Sequence, residues 1–148
     1  MTMSTIERVV ALQRVTLFGA VPGRVLAAVA LRATEVEVEA GTTVIEAEAV
    51  EDHLFAVVRG RFRVHRDGNP IATIGPGATI GELAALLPEP RSASVTALEP
   101  ATLLRIDRDV LEELLADRPE LAAGVIAALV AMIRERASGV PGADSTSA

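Results

Sequence analysis

The stretch that decides the fold is Arg61-Phe62-Arg63-Val64-His65-Arg66-Asp67-Gly68-Asn69-Pro70-Ile71-Ala72-Thr73-Ile74. Arg61 to His65 alternates polar with apolar, the period of a half-buried strand. Asp67-Gly68-Asn69 signals a hairpin, and Ile71 to Ile74 reads as the returning strand. The same pattern extends upstream. Leu54 to Val58 is a short apolar run closed by Gly60, Thr43-Val44-Ile45 is β-branched, and Glu35-Val36-Glu37-Val38-Glu39 alternates strictly until Gly41. Downstream, Gly75-Pro76-Gly77 is a turn. Ser94 to Leu98 and Thr102 to Ile106 are two more strands, split by Glu99-Pro100. Short strands this closely spaced by turns predict a closed or sandwiched antiparallel sheet of about seven or eight strands.

Both flanks are helical. Ser4 with Glu7 forms a capping-box pattern, followed by Ile6, Val9, Val10, Leu12 and Val15 at helical spacing. Gly19 and Pro22-Gly23 interrupt it, and a second short helix is predicted over Arg24 to Arg32. After the strands, Asp107 is a candidate N-cap for Val110 to Ala116, Pro119 suits a helix start, and Leu121 to Arg136 is the longest helical stretch. The predicted order is helices over 4–32, a β-roll over 34–106 and helices over 107–136, all in one domain, 1–136. Residues 137–148 are Gly, Pro, Ser, Thr and Ala with one Val and one Asp, the composition expected of a disordered tail.

The chain has 148 residues, half of them hydrophobic and 23% charged, which suits one globular domain. It has no cysteine, which excludes disulfides, thiolate metal sites and a cysteine nucleophile. Every cationic side chain is Arg, so a Schiff-base lysine and a P-loop lysine are excluded as well. Three Phe are the only aromatics, too few to stack single-stranded bases. A net charge of −6 argues against a nucleic-acid or anionic-membrane surface. Met1 to Arg14 carries Glu7, Arg8 and Arg14 and lacks the apolar core of a signal peptide. Leu121 to Ile133 is shorter than the roughly 20 residues that cross a bilayer. A cytoplasmic protein without membrane attachment is expected.

Residues 74–95 interrupt the strands with Ile-Gly-Pro-Gly-Ala-Thr-Ile-Gly-Glu-Leu-Ala-Ala-Leu-Leu-Pro-Glu-Pro-Arg-Ser-Ala-Ser-Val. Gly81 lets a backbone approach a ligand closely, and the N–H groups after it, at a short helix start, favour an anion. Arg91, beyond the turn made by Pro88 and Pro90, can fold back and present its fork of donors to the same anion. Glu82 repels an anion and suits a neutral hydroxyl donor. Each has a plainer reading. Arg91 would pair with Glu89 or Glu99 at the surface, and Glu82 would cap the short helix.

The segment Gly81-Glu82-Leu83-Ala84-Ala85-Leu86-Leu87-Pro88-Glu89-Pro90-Arg91-Ser92-Ala93-Ser94-Val95 resembles the phosphate-binding cassette of cyclic nucleotide-binding domains. That family includes the catabolite activator proteins and the regulatory subunits of cyclic-AMP-dependent protein kinases. Leu17-Phe18, Gly60 and Ile74-Gly75-Pro76-Gly77 extend the resemblance to about residues 5–136. It implies a mainly β fold with flanking helices: an antiparallel β-roll, or double-stranded jelly roll, with short N-terminal helices and a long C-terminal one. It implies that cAMP or cGMP is the ligand. The backbone of Gly81, Glu82, Leu83 and Ala84 would surround the cyclic phosphate, Arg91 would be its counter-charge, Glu82 would accept from the ribose 2′-OH, and Ser92 would add a contact. Leu83, Leu86 and Val95 would shape the cassette. Two departures stand out. Ile80 replaces a common aromatic, and Glu46-Ala47-Glu48-Ala49-Val50-Glu51-Asp52-His53 lacks the glycine of the family's acidic-Gly-Asp turn. No aromatic is evident to cover the purine, although Leu129, Met132 and Ile133 offer an apolar cover.

Other readings are weaker. His53 and His65 lie on different segments, so a cupin-like metal site is not expected. Arg59, Arg61, Arg63 and Arg66 read as a solvated strand face balanced by Glu35, Glu37 and Glu39. No nucleophile–base pair appears, so neither catalysis nor a cofactor is expected. The helix over Leu121 to Ile133 is apolar nearly all round, and by the resemblance it would pair two copies into a homodimer. Relatives that regulate transcription carry a helix-turn-helix domain after this helix, and this sequence ends about twelve residues past it; direct DNA binding is not expected, and output would pass through a protein effector, the dimer or a longer polypeptide. The alternative to a nucleotide sensor is a docking or dimerisation module of the same fold that binds no nucleotide.

Overall fold

A computed structural model describes residues 2–81 and 89–137. Helix α1 (Thr5–Gln13) opens with the expected capping box: Ser4 Oγ accepts from Glu7 N, and the Glu7 carboxylate accepts from Ser4 N. A 3-10 turn (Thr16–Phe18) and helix α2 (Gly23–Arg32) follow. The strands are β1 (Thr34–Val38), β2 (Thr43–Ile45), β3 (Val50–Glu51), β4 (His53–Arg59), β5 (Phe62–Arg66), β6 (Asn69–Ile74), β7 (Thr79–Ile80), β8 (Glu89–Pro90), β9 (Ser94–Ala97) and β10 (Ala101–Asp107). Helices α3 (Arg108–Asp117) and α4 (Pro119–Ala137) complete the order.

The strands form two four-stranded antiparallel sheets, β1-β10-β4-β7 and β2-β9-β5-β6, and a two-stranded ladder, β3-β8. This is the mainly β architecture that the alternating segments predicted. Two apolar clusters explain the layering. One lies between the sheets and includes Ile45, Phe55, Val57, Phe62, Val64, Val95 and Leu103. The other joins Leu54, Ala56, Leu104 and Ile106 to the helical residues Leu12, Phe18, Leu26, Val29, Leu111 and Leu121. Alternate residues of β4 and β10 therefore face different clusters, because side chains alternate across a strand. A strand buried on both faces reads as an unbroken apolar run, which is what Leu54 to Val58 is.

The Asp67–Gly68 hairpin loop has positive φ at both residues, 52° and 79°, the geometry of a type I′ turn. Gly60 turns β4 into β5 at φ +91°. A Cβ there would stand 2.8 Å from Ala101 Cα and 2.9 Å from the Pro100 carbonyl oxygen.

Three expectations are corrected. The strands β3, β7 and β8 were not anticipated, since two residues are too few to show a period. Asp107 does occupy the N-cap position of α3, but its side chain makes no cap bond and instead accepts from Arg105 Nε at 3.0 Å. Two of the basic strand residues pair with acids other than Glu35, Glu37 and Glu39. Arg61 pairs with Glu99 at 3.0 Å and Arg66 pairs with Glu48, while Glu35 accepts from Met3 N at 2.7 Å. The tail predicted over 137–148 lies outside the described residues apart from Ala137, which ends α4.

Gly60→Ala combines a strained φ with a backbone clash, so it should cost about 2–4 kcal/mol of stability. Urea unfolding checks this, and an unchanged midpoint would contradict the packing at Ala101.

Candidate functional site

Where β7 ends, Gly81 is buried with φ +80°. A Cβ on Gly81 would lie 2.8 Å from Arg91 Cζ and 3.2 Å from its Nη2. The Arg91 guanidinium therefore packs directly on the Gly81 backbone, and only glycine leaves it room. Arg91 is 2% exposed and ranks with the largest fully buried side chains. Its Nη2 donates to the His53 carbonyl at 2.6 Å. The surface arginine paired with Glu99 is thus overturned, since Glu99 belongs to Arg61.

The main chain around Arg91 is held as firmly as its side chain. Arg91 N donates to the Ala49 carbonyl at 2.9 Å, and Glu48 N donates to the Arg91 carbonyl at 2.8 Å. The β3–β8 ladder continues this pairing, with Val50 opposite Pro90 and Glu51 opposite Glu89. Ala47 N donates to Ser94 Oγ at 2.9 Å. Loop 46–49 thus lies along the segment that carries Arg91. Glu48 adopts φ +71°, a left-handed conformation that usually selects glycine. In this loop, which lacks a glycine, a glutamate holds the left-handed position.

Ser92 is exposed beside Arg91, and its carbonyl accepts from Arg66 Nη1. Val95 is fully buried between the sheets. Glu82, Leu83, Ala84 and Leu86 lie outside the described residues. The structure therefore brings together Gly81, Arg91 and Ser92 from the anticipated set. It adds the His53 carbonyl, Glu48, Arg66 and Ser94, which were not anticipated as site residues. A carbonyl contact leaves no side-chain signal. Arg66 did leave one, because it shares the strand parity of the buried Phe62 and Val64 and not that of Arg61 and Arg63.

Chemically, the arrangement is a buried cation that could attract an anion. A delocalised cation is fixed in a water-poor site where Coulomb attraction is least screened. His53 stands at its edge. The ring meets Phe55 edge-on at 5.0 Å, and Nε2 lies 3.7 Å from Glu51 Oε2. Burial chiefly holds the imidazole pKa below its ordinary value. Glu51 opposes this, and the Arg91 charge adds to it. Among the described residues no cluster of three or more His, Asp or Glu could hold a metal ion.

Comparison with known proteins gives the class. The model of the cyclic nucleotide-binding domain matches residues 35–118, and the chain belongs to that family. It is 30% identical over 128 residues to a CRP-like cAMP-activated global transcriptional regulator of Mycobacterium tuberculosis, covering 83% of this chain. The chain spans only 57% of that protein's length. The N-terminal domain of a transcriptional regulator from Streptomyces coelicolor superposes with a TM-score of 0.80 at 29% identity, covering 91% of this chain and 98% of that one. The regulatory domain of Toxoplasma gondii PKA, solved with cAMP, gives a TM-score of 0.68 at 28% identity, covering 74% and 44%.

The lowered pKa of the partly buried His53 fixes the sign of one pH effect. Its pKa is depressed on folding, so below about 6.5 the unfolded chain takes up the proton first. Stability should fall as pH drops from 6.5 toward 5, and His53→Asn should flatten that part of the profile. Denaturant midpoints at each pH check this; an equal slope in the variant would refute it.

Proposed function

We propose that residues 1–136 act as a regulatory sensor domain that captures a cyclic mononucleotide, cAMP or cGMP, through its phosphate. The supporting observation is the buried Arg91 guanidinium seated on Gly81. The phosphate would meet Arg91 and the backbone N–H groups of Gly81, Glu82, Leu83 and Ala84. Glu82 would accept from the ribose 2′-OH, and the Ser92 hydroxyl would add a contact. The names of the mycobacterial and Toxoplasma relatives include cAMP, which supports a nucleotide of this class. The activity proposed is binding, with no catalytic step. Among the described residues no helix is long and apolar enough to cross a membrane, and a cytoplasmic sensor is the setting proposed.

Transmission would run through the C-terminal helices. On α4, Leu121, Val125, Ala128 and Met132 are buried, and α4 packs against the 3-10 turn, α2 and α3. Its other face exposes Ile126 (60%), Val130 (40%) and Ile133 (64%), flanked by the exposed Ala123 and Ala137. These five positions follow the alternating three-and-four spacing of a coiled-coil seam. A second copy of the chain is the proposed occupant. Ligand capture would then shift the population of α3–α4 arrangements that this pair reads, and a protein effector would read the pair.

Thermal unfolding with cAMP, cGMP and their linear monophosphates tests the ligand. At a hundred times Kd, a ligand adds about 2.7 kcal/mol, or roughly 5–10 °C here. A shift with a cyclic form and none with its linear form is expected. Arg91→Ala should weaken binding roughly a hundredfold or more. Unchanged affinity in Arg91→Ala would overturn the site, and no shift with any cyclic form would favour the docking module. A second experiment measures mass in solution. The wild type should be a dimer, and Ile126→Glu with Val130→Glu should give a folded monomer. A monomeric wild type would overturn the seam.

A further inference from the structure

We propose that Arg66 is a positioning residue of this site, an external bracket that sets where Arg91 stands. Arg66 sits at the end of β5, beside the type I′ turn, with Nε 3.9 Å from Asp67 Oδ2. Its fork reaches across two separate segments. Nη2 donates to the Glu48 carboxylate, and Nη1 donates to the Ser92 carbonyl. Glu48 in turn donates its N–H to the Arg91 carbonyl, and Arg91 donates its own to Ala49. Arg66 therefore grips both sides of the pairing that carries the Arg91 main chain. The left-handed turn at Glu48 makes this grip matter. A glutamate disfavours that conformation, and the Arg66 ion pair holds the side chain where the turn needs it.

The effect on a ligand is one of geometry. Arg66 and Glu48 neutralise each other, so the bracket adds little net charge to the anion site. Lysine cannot replace it, because a single ammonium lacks the planar fork that spans two acceptors. The left-handed turn at Glu48 is thus supported by a contact from a neighbouring strand and not by the backbone freedom of a glycine.

The role in ligand affinity rests on the binding function proposed above; the role in ordering Arg91 does not. The experiment separates them by comparing wild type, Arg66→Ala and Arg66→Lys. Amide hydrogen exchange is measured on the ligand-free protein, and Kd is measured for cAMP and cGMP. In Arg66→Ala the Glu48 and Arg91 amides should exchange roughly tenfold faster or more, while the β4 and β10 amides stay as in wild type. Cyclic nucleotide binding should weaken about tenfold, and Arg66→Lys should show most of both losses. Unchanged exchange at Glu48 and Arg91 overturns the bracket. Wild-type affinity despite faster exchange overturns the role in ligand affinity, and full rescue by lysine overturns the two-acceptor fork. If wild type binds neither nucleotide while the two amides still loosen in Arg66→Ala, the binding function fails and the bracket stands.

Discussion

A guanidinium cannot leave water without being held, and the burial of Arg91 is the constraint around which this site is organised. Three parts of the chain converge to hold it. Gly81 lacks the Cβ that would collide with the group. The start of β4 offers a carbonyl from His53. Loop 46–49 pairs with the main chain on either side. The first sheet supplies both the end of β7 and the start of β4, so the geometry of the cation inherits the rigidity of that sheet. This is why the site is built at strand ends, where loop backbone meets a fixed frame.

The frame is fixed by two-sided burial. β4 and β10 lie side by side in the first sheet and are apolar on both faces. One face packs against the second sheet and the other against the helices. A one-residue slip in either strand would exchange the two sets of side chains, placing Phe55 among the helices and Leu54 between the sheets. Volumes in the two clusters would then both be wrong, so register is specified twice over.

Much of this was legible in the sequence, and for identifiable reasons. Long alternating strands, the Asp67-Gly68 turn and the capping box at Ser4 are local signals, and each appears where expected. Gly81 and Arg91 stand out because glycine, a fork of donors and a turn of prolines form a sequence pattern, whereas Ser92 comes only from the family resemblance. What escaped was whatever depends on tertiary contact. Two-residue strands have no period. The depth at which Arg91 sits is decided by β4 and by loop 46–49, distant in sequence. The His53 contact is made by a carbonyl that every residue possesses. Arg66 was grouped with its neighbours by charge, although strand parity set it apart from them. That a glutamate at position 48 takes the left-handed place is not visible in the sequence, which does not show that Arg66 reaches it.

The pairing between loop 46–49 and the segment around Arg91 is made largely of peptide groups. Peptide groups are the same whatever side chain they carry. Glu46, Ala47 and Ala49 can therefore change over evolutionary time without releasing the cation. The rim of the site is free to vary while the anchor of its buried cation persists, so the side-chain chemistry around Arg91 can drift without unseating it.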